Sequence, residues 1–77
     1  MIGLTAFYPA LAESLHDLAG LMKAKANYSR AKAFYEQALA IREKVLGSTH
    51  RKTASTLYGL AELYLIKEQY GKAEACH

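Results

Sequence analysis

Cysteine occurs once, at Cys76, so an internal disulfide is excluded. No Cys/His spacing suits a structural zinc either. The 77 residues therefore lack both usual staples of small domains, whose single cores supply on the order of 3–5 kcal/mol. A lone cysteine fits a reducing, intracellular setting. Long hydrophobic runs are missing as well. The longest uncharged stretch, Met1–Ala12, has no basic residue ahead of it and contains Pro9. It is too short to span a membrane and lacks the form of a signal peptide, so a soluble, cytoplasmic protein is expected. Nor is charge of one sign concentrated. The net charge of +3 is mild, and Lys and Arg alternate with Glu through most of the chain. Such alternation marks a solvated surface rather than a nucleic-acid groove.

What the chain does have is a repeat. Shifted against itself by 42 residues, it aligns Ala12 with Ala54, Leu15 with Leu57, Leu18 with Leu60 and Ala19 with Ala61. Further on, Leu21 meets Leu63, Lys25 meets Lys67, Tyr28 meets Tyr70, Ala31 meets Ala73 and Ala33 meets Ala75. Ser14/Thr56 and Arg30/Lys72 are near matches. Two alanine-rich amphipathic helices resemble each other by chance, but chance does not place the tyrosine and the small residues at one common offset. A fixed period of this length signals stacked supersecondary units.

Each unit reads as two helices, giving an all-α fold of antiparallel helix pairs. Residues 1–8 are a lead-in, 9–50 a first repeat and 51–77 an incomplete second. The first helix is expected to start near Pro9, which suits a first helical position, and to fade around Ala24–Asn27. Leu11, Leu15, Leu18, Leu21 and Met22 make its apolar face. The second runs from Tyr28 to Leu46, with Ala31, Phe34, Tyr35, Ala38, Ile41, Val45 and Leu46 inward. Gly47 then supplies a left-handed turn, and Ser48 and Thr49 offer capping oxygens. A third helix is expected over Arg51–Lys67, with Leu57, Leu60, Ala61 and Tyr64 inward, and a short fourth from Tyr70. Ala19 with Ala31, and Ala61 with Ala73, let paired backbones approach closely.

This arrangement resembles the tetratricopeptide repeat. Leu15, Leu18, Ala19, Met22, Tyr28, Ala31, Tyr35 and Ala38 fall on its large–small pattern, and Leu57, Leu60, Ala61, Tyr64, Tyr70 and Ala73 repeat it. The 42-residue period and the stretch from Tyr35 to Gly47, followed by His50 and Ala54, resemble the kinesin-light-chain and nephrocystin-3 branch. The chain departs from that branch at Arg51, where proline is usual, and at Ala26 and Glu68, where glycine usually closes the first helix. Paired asparagines of the branch are replaced by His16-Asp17 and Tyr58-Gly59.

The resemblance implies a non-catalytic scaffold whose concave groove takes a peptide or helix. It places Glu13, His16, Gly20 and Lys23 in that groove from the first unit, and Ser55, Tyr58, Glu62 and Ile66 from the second. The Lys/Asn set that grips a terminal carboxylate in chaperone-binding members is missing. The alternative to a groove is a structural unit that stacks on further units or on other copies through its exposed ends, including the flank around Phe7 and Leu11.

Other constellations weigh less. His16, His50 and His77 have no spacing with Asp17 or Cys76 that suits catalysis or a metal, so no catalytic residue, metal or cofactor is expected. Arg42, Lys44, His50, Arg51 and Lys52 form a basic concentration. Its ordinary role is to complement a helix C-terminus, and its functional alternative is weak nucleic-acid or phosphate binding. Tyr28 and Tyr70 read as packing residues.

Overall fold

The computed structural model describes residues 2–75, with side chains described over 9–69. Three helices follow in order: α1 (Ile2–Ala24), α2 (Tyr28–Leu46) and α3 (Arg51–Ala75). Short connections make each neighbouring pair antiparallel, so α1 and α3 run parallel on one side of α2. Among the described residues there is no strand, and no helix is long and apolar enough to cross a membrane.

Two helix boundaries differ from the sequence expectation. The first helix starts well before Pro9, which lies inside it. Tyr8, immediately ahead of the proline, offers no capping oxygen, so nothing marks a helix start there. The expected fourth helix does not form as a separate element, because α3 continues through Lys67-Glu68-Gln69 to Ala75. The corresponding stretch of the first unit, Lys25-Ala26-Asn27, does break. Asn27 caps α2, its side chain accepting from the Arg30 amide at 3.4 Å. Gln69 stands at the matching position, and glutamine is not a capping residue. The side chains of Phe7, Tyr70 and Ala73, and all of Cys76 and His77, lie outside the described residues.

The turn after α1 closes by two backbone bonds. The Asn27 amide donates to Met22 O at 2.8 Å and the Ala26 amide to Lys23 O at 3.0 Å, the pattern of a Schellman end. Ala26 must therefore hold φ at +63°, which an L side chain adopts at a cost of about 1–2 kcal/mol. At the other turn Gly47 sits at φ +92°, ψ 158°, a region essentially restricted to glycine. Its carbonyl accepts from Thr53 Oγ1 at 2.8 Å, so the buried threonine ties the α2 end to the α3 start. The capping acceptor of α3 is His50 Nδ1, which receives the Lys52 amide at 3.1 Å, in place of the expected Ser48 and Thr49 oxygens.

The core is narrower than the leucine pattern suggests. Ala12, Leu15 and Ala19 of α1 are buried, with Ala31, Tyr35 and Ala38 of α2 and Leu60 and Leu63 of α3. Leu11, Leu18 and Leu21, expected inward, are 46%, 40% and 48% exposed. On α3, Leu57, Ala61 and Tyr64 are exposed, and Thr53, Thr56 and Gly59 are buried in their place. The reason is distance. The small faces of α1 and α2 bring the two backbones together, and the larger leucines are left on the flank.

Replacing Ala26 with glycine relieves the positive φ at an exposed position. Ala26→Gly is expected to raise stability by about 0.5–1 kcal/mol in urea unfolding. A loss of stability would show that the turn is not held as described.

Candidate partner-binding face

Tyr35 of α2 projects between the two parallel helices and is almost fully buried. His16 of α1 meets its ring edge-on, with centroids 5.3 Å apart and planes at 70°. Gly20 of α1 and Gly59 of α3 flank the phenol. A Cβ built on Gly59 would stand 2.7 Å from ring carbons of Tyr35, and one on Gly20 would stand 3.9 Å from its hydroxyl. Glycine at 59 is thus required by the close approach of α3 to this ring.

Above the ring, side chains from α1 and α3 close a seam. Lys23 Nζ lies 3.1 Å from Glu62 Oε1. Thr56 Oγ1 stands 3.3 Å from His16 Nδ1 and 2.8 Å from Arg42 Nη1, and donates to Lys52 O at 3.1 Å. A hydroxyl has one proton and two lone pairs. All three contacts are satisfied together when Thr56 donates to the carbonyl and accepts from Arg42 and from the Nδ1–H of neutral His16.

The structure therefore brings together four of the eight residues expected in a groove: His16, Gly20, Lys23 and Glu62. They form the floor where α1 and α3 meet. Glu13, Ser55 and Tyr58 stand exposed beside this floor and Ile66 is half-buried. Tyr58 is 68% exposed, so it projects from the face rather than lining a cleft. Cavities of about 460 and 480 Å³ lie between α2 and α3, not between α1 and α3. Sequence reasoning missed Tyr35, Thr56, Gly59 and Arg42 as parts of this site. Thr56 had a signal in its match to Ser14, and Gly59 in being the small residue beside Tyr58. Arg42 had none, because a basic residue near a helix end reads as surface.

His16 is held below its ordinary value near 6.5, first by burial and then by the Arg42 guanidinium, with Lys23 adding to the effect. Asp17 and Glu13 pull the other way without prevailing.

The tetratricopeptide-repeat family profile matches residues 10–77, nearly the whole chain, and the chain belongs to that family. It is accordingly a non-catalytic module of the kind that mediates protein interactions. No curated protein and no solved structure matches the chain.

The depressed His16 value sets a pH dependence. Above the ordinary histidine value both states are neutral there and stability is complete. As pH falls through that value the unfolded chain takes up the proton first, so stability declines until the lower folded value is passed. His16→Gln is expected to flatten this slope in unfolding measurements between pH 7 and 5. An unchanged slope would assign the acid sensitivity elsewhere.

Proposed function

We propose that the chain is an adaptor module that holds a peptide or helix of a protein partner along the α1/α3 face. Glu13, His16, Gly20, Lys23, Ser55, Tyr58, Glu62 and Ile66 are the contact set. The observation that carries this reading is Tyr58, a large aromatic left 68% exposed beside a floor already fixed by Tyr35, His16 and the Lys23–Glu62 pair. A rigid floor with a projecting aromatic anchor is how recognition surfaces concentrate affinity. The 42-residue register, with units at 9–50 and 51–77, favours the kinesin-light-chain and nephrocystin-3 branch within the family. The lone cysteine favours a cytoplasmic setting.

The partner is expected to emerge from a randomised peptide library. Tyr58→Ala should then weaken its affinity at least tenfold, and Arg51→Ala/Lys52→Ala should leave it nearly unchanged. A large loss in the basic double variant alone would reverse the assignment.

A second reading, self-assembly, is favoured by comparing positions 42 apart. Leu15 is 8% exposed under α2, whereas its counterpart Leu57 is 47% exposed. Ala12 and Ala19 are fully buried, and their counterparts Ala54 and Ala61 are exposed. The face that α2 covers in the first unit is open in the second. It forms part of the groove of about 480 Å³ that includes Leu39, Leu57, Ala61 and Tyr64. The apolar flank of α1 in a second copy, with Leu11, Leu18 and Leu21, suits it as occupant, head to tail. Sedimentation over a wide concentration range should show association that Leu57→Asp/Tyr64→Asp abolishes. A monomer throughout for the unmodified chain would remove this reading.

A further inference from the structure

At the end of the molecule where α1, α2 and α3 converge lies a second kind of feature. It is a cavity of about 140 Å³ whose walls are mostly apolar, Pro9, Ala12 and Val45 among them, with Arg42, His50 and Lys52 as its ionisable lining. We propose that this cavity binds a phosphate-type oxyanion. Arg42 is the centre of the site. Its side chain is only 5% exposed, yet its Nη1 donates to two neutral acceptors, Lys52 O at 3.2 Å and Thr56 Oγ1 at 2.8 Å. Among the described residues no carboxylate comes within ion-pair distance of it, and the acid–base pair there is Lys23–Glu62. A guanidinium taken out of water is ordinarily paired with an anion, because desolvation of an uncompensated charge is costly. Here, among the described residues, a space lies beside the charge and no carboxylate reaches it.

The surroundings add to the imbalance. Among the described residues the lining includes two further bases and no acid. The first turn of α3 holds no acidic residue and begins Arg51-Lys52, so cations face the positive end of that helix. Lys52 is placed there because His50 Nδ1 receives its amide, which joins the two residues into one short cap. The Arg42 charge also acts on His16, its neighbour across Thr56. A planar guanidinium with flanking ammonium and imidazole groups suits a tetrahedral, multiply charged anion better than a single carboxylate. About 140 Å³ is room for a few water molecules at roughly 30 Å³ each, enough for an oxyanion with residual water. Apart from Arg42 the cavity lining shares no residue with the Tyr35 floor, and the proposal does not depend on the α1/α3 face being a binding surface.

Two sources share this chemistry: free phosphate, and a phosphoryl group carried on a partner's side chain. The experiment titrates the full chain at constant ionic strength with inorganic phosphate, O-phosphoserine or sodium acetate. It follows amide resonances of residues 47–53 together with the melting temperature. Saturable shifts and a rise in melting temperature beyond those from chloride are expected with phosphate. O-phosphoserine binding more tightly than phosphate would identify the partner-borne source, and tighter phosphate the free anion. Arg42→Lys is expected to weaken binding but also touches the core. The exposed Lys52→Gln and His50→Gln therefore carry the test, each expected to reduce affinity five- to tenfold, while Tyr58→Ala leaves it unchanged. The proposal is overturned if phosphate acts no differently from chloride, if acetate binds as well as phosphate, or if Lys52→Gln and His50→Gln both bind like the unmodified chain.

Discussion

The arrangement of three helices depends on one contact, the Tyr35 ring lodged over the bare Cα of Gly59. A side chain on residue 59 would meet the ring carbons at 2.7 Å, so α3 can lie this close only because that side chain is missing. The same ring carries His16 on its edge and has Gly20 beside its hydroxyl. One aromatic residue of the middle helix thus sets the spacing of both outer helices. Alanine does the rest between α1 and α2, where Ala12, Ala19, Ala31 and Ala38 have no exposed surface. Once those spacings are set, Thr56 falls where it can join His16, Arg42 and the Lys52 carbonyl, and Lys23 reaches Glu62.

Much of this was legible in the sequence, and the failures have physical causes. The expected second helix, Tyr28 to Leu46, matches α2, with Gly47 the end signal the sequence offered and Asn27 the cap the structure adds. The 42-residue register suggested a break near Tyr70 that does not occur. A register transfers residue pattern, but a helix ends only where a cap or a left-handed residue is available, and Lys67-Glu68-Gln69 provides neither. Leucine periodicity likewise misled. Leu11, Leu18 and Leu21 share a stripe with period near 3.6, yet the neighbouring alanine stripe wins the interface, since close backbone approach excludes larger side chains. Hydrophobicity identifies which faces avoid water, and size decides which of them meet first.

The site was legible in outline only. Family resemblance named His16, Gly20, Lys23 and Glu62 together, and geometry brings them into a cross-linked floor rather than a cleft. Tyr35 and Gly59 escaped because they are not related by the repeat: the counterpart of Gly59 is Asp17, and that of Gly20 is Glu62. The contact that fixes the fold is therefore the one the repeat breaks. Arg42 was visible only as one of a basic concentration, since burial of a charge is a property of three converging helices and of no local pattern. The open face at Leu57, Ala61 and Tyr64, the projecting Tyr58 and the basic cavity at Arg42 are three separate surfaces, each left over from how closely the helices pack.

The Tyr35–Gly59 approach is tested most directly by a double-mutant cycle in equilibrium unfolding. Gly59→Ala is expected to cost about 1–3 kcal/mol through overpacking, against the roughly 0.5–1 kcal/mol that alanine gains over glycine within a helix. In a Tyr35→Leu background the obstructing ring atoms are gone, so the same substitution should become neutral or stabilising. A Gly59→Ala change that stabilises the unmodified chain, or that costs the same in both backgrounds, would contradict the claim that this ring sets the position of α3.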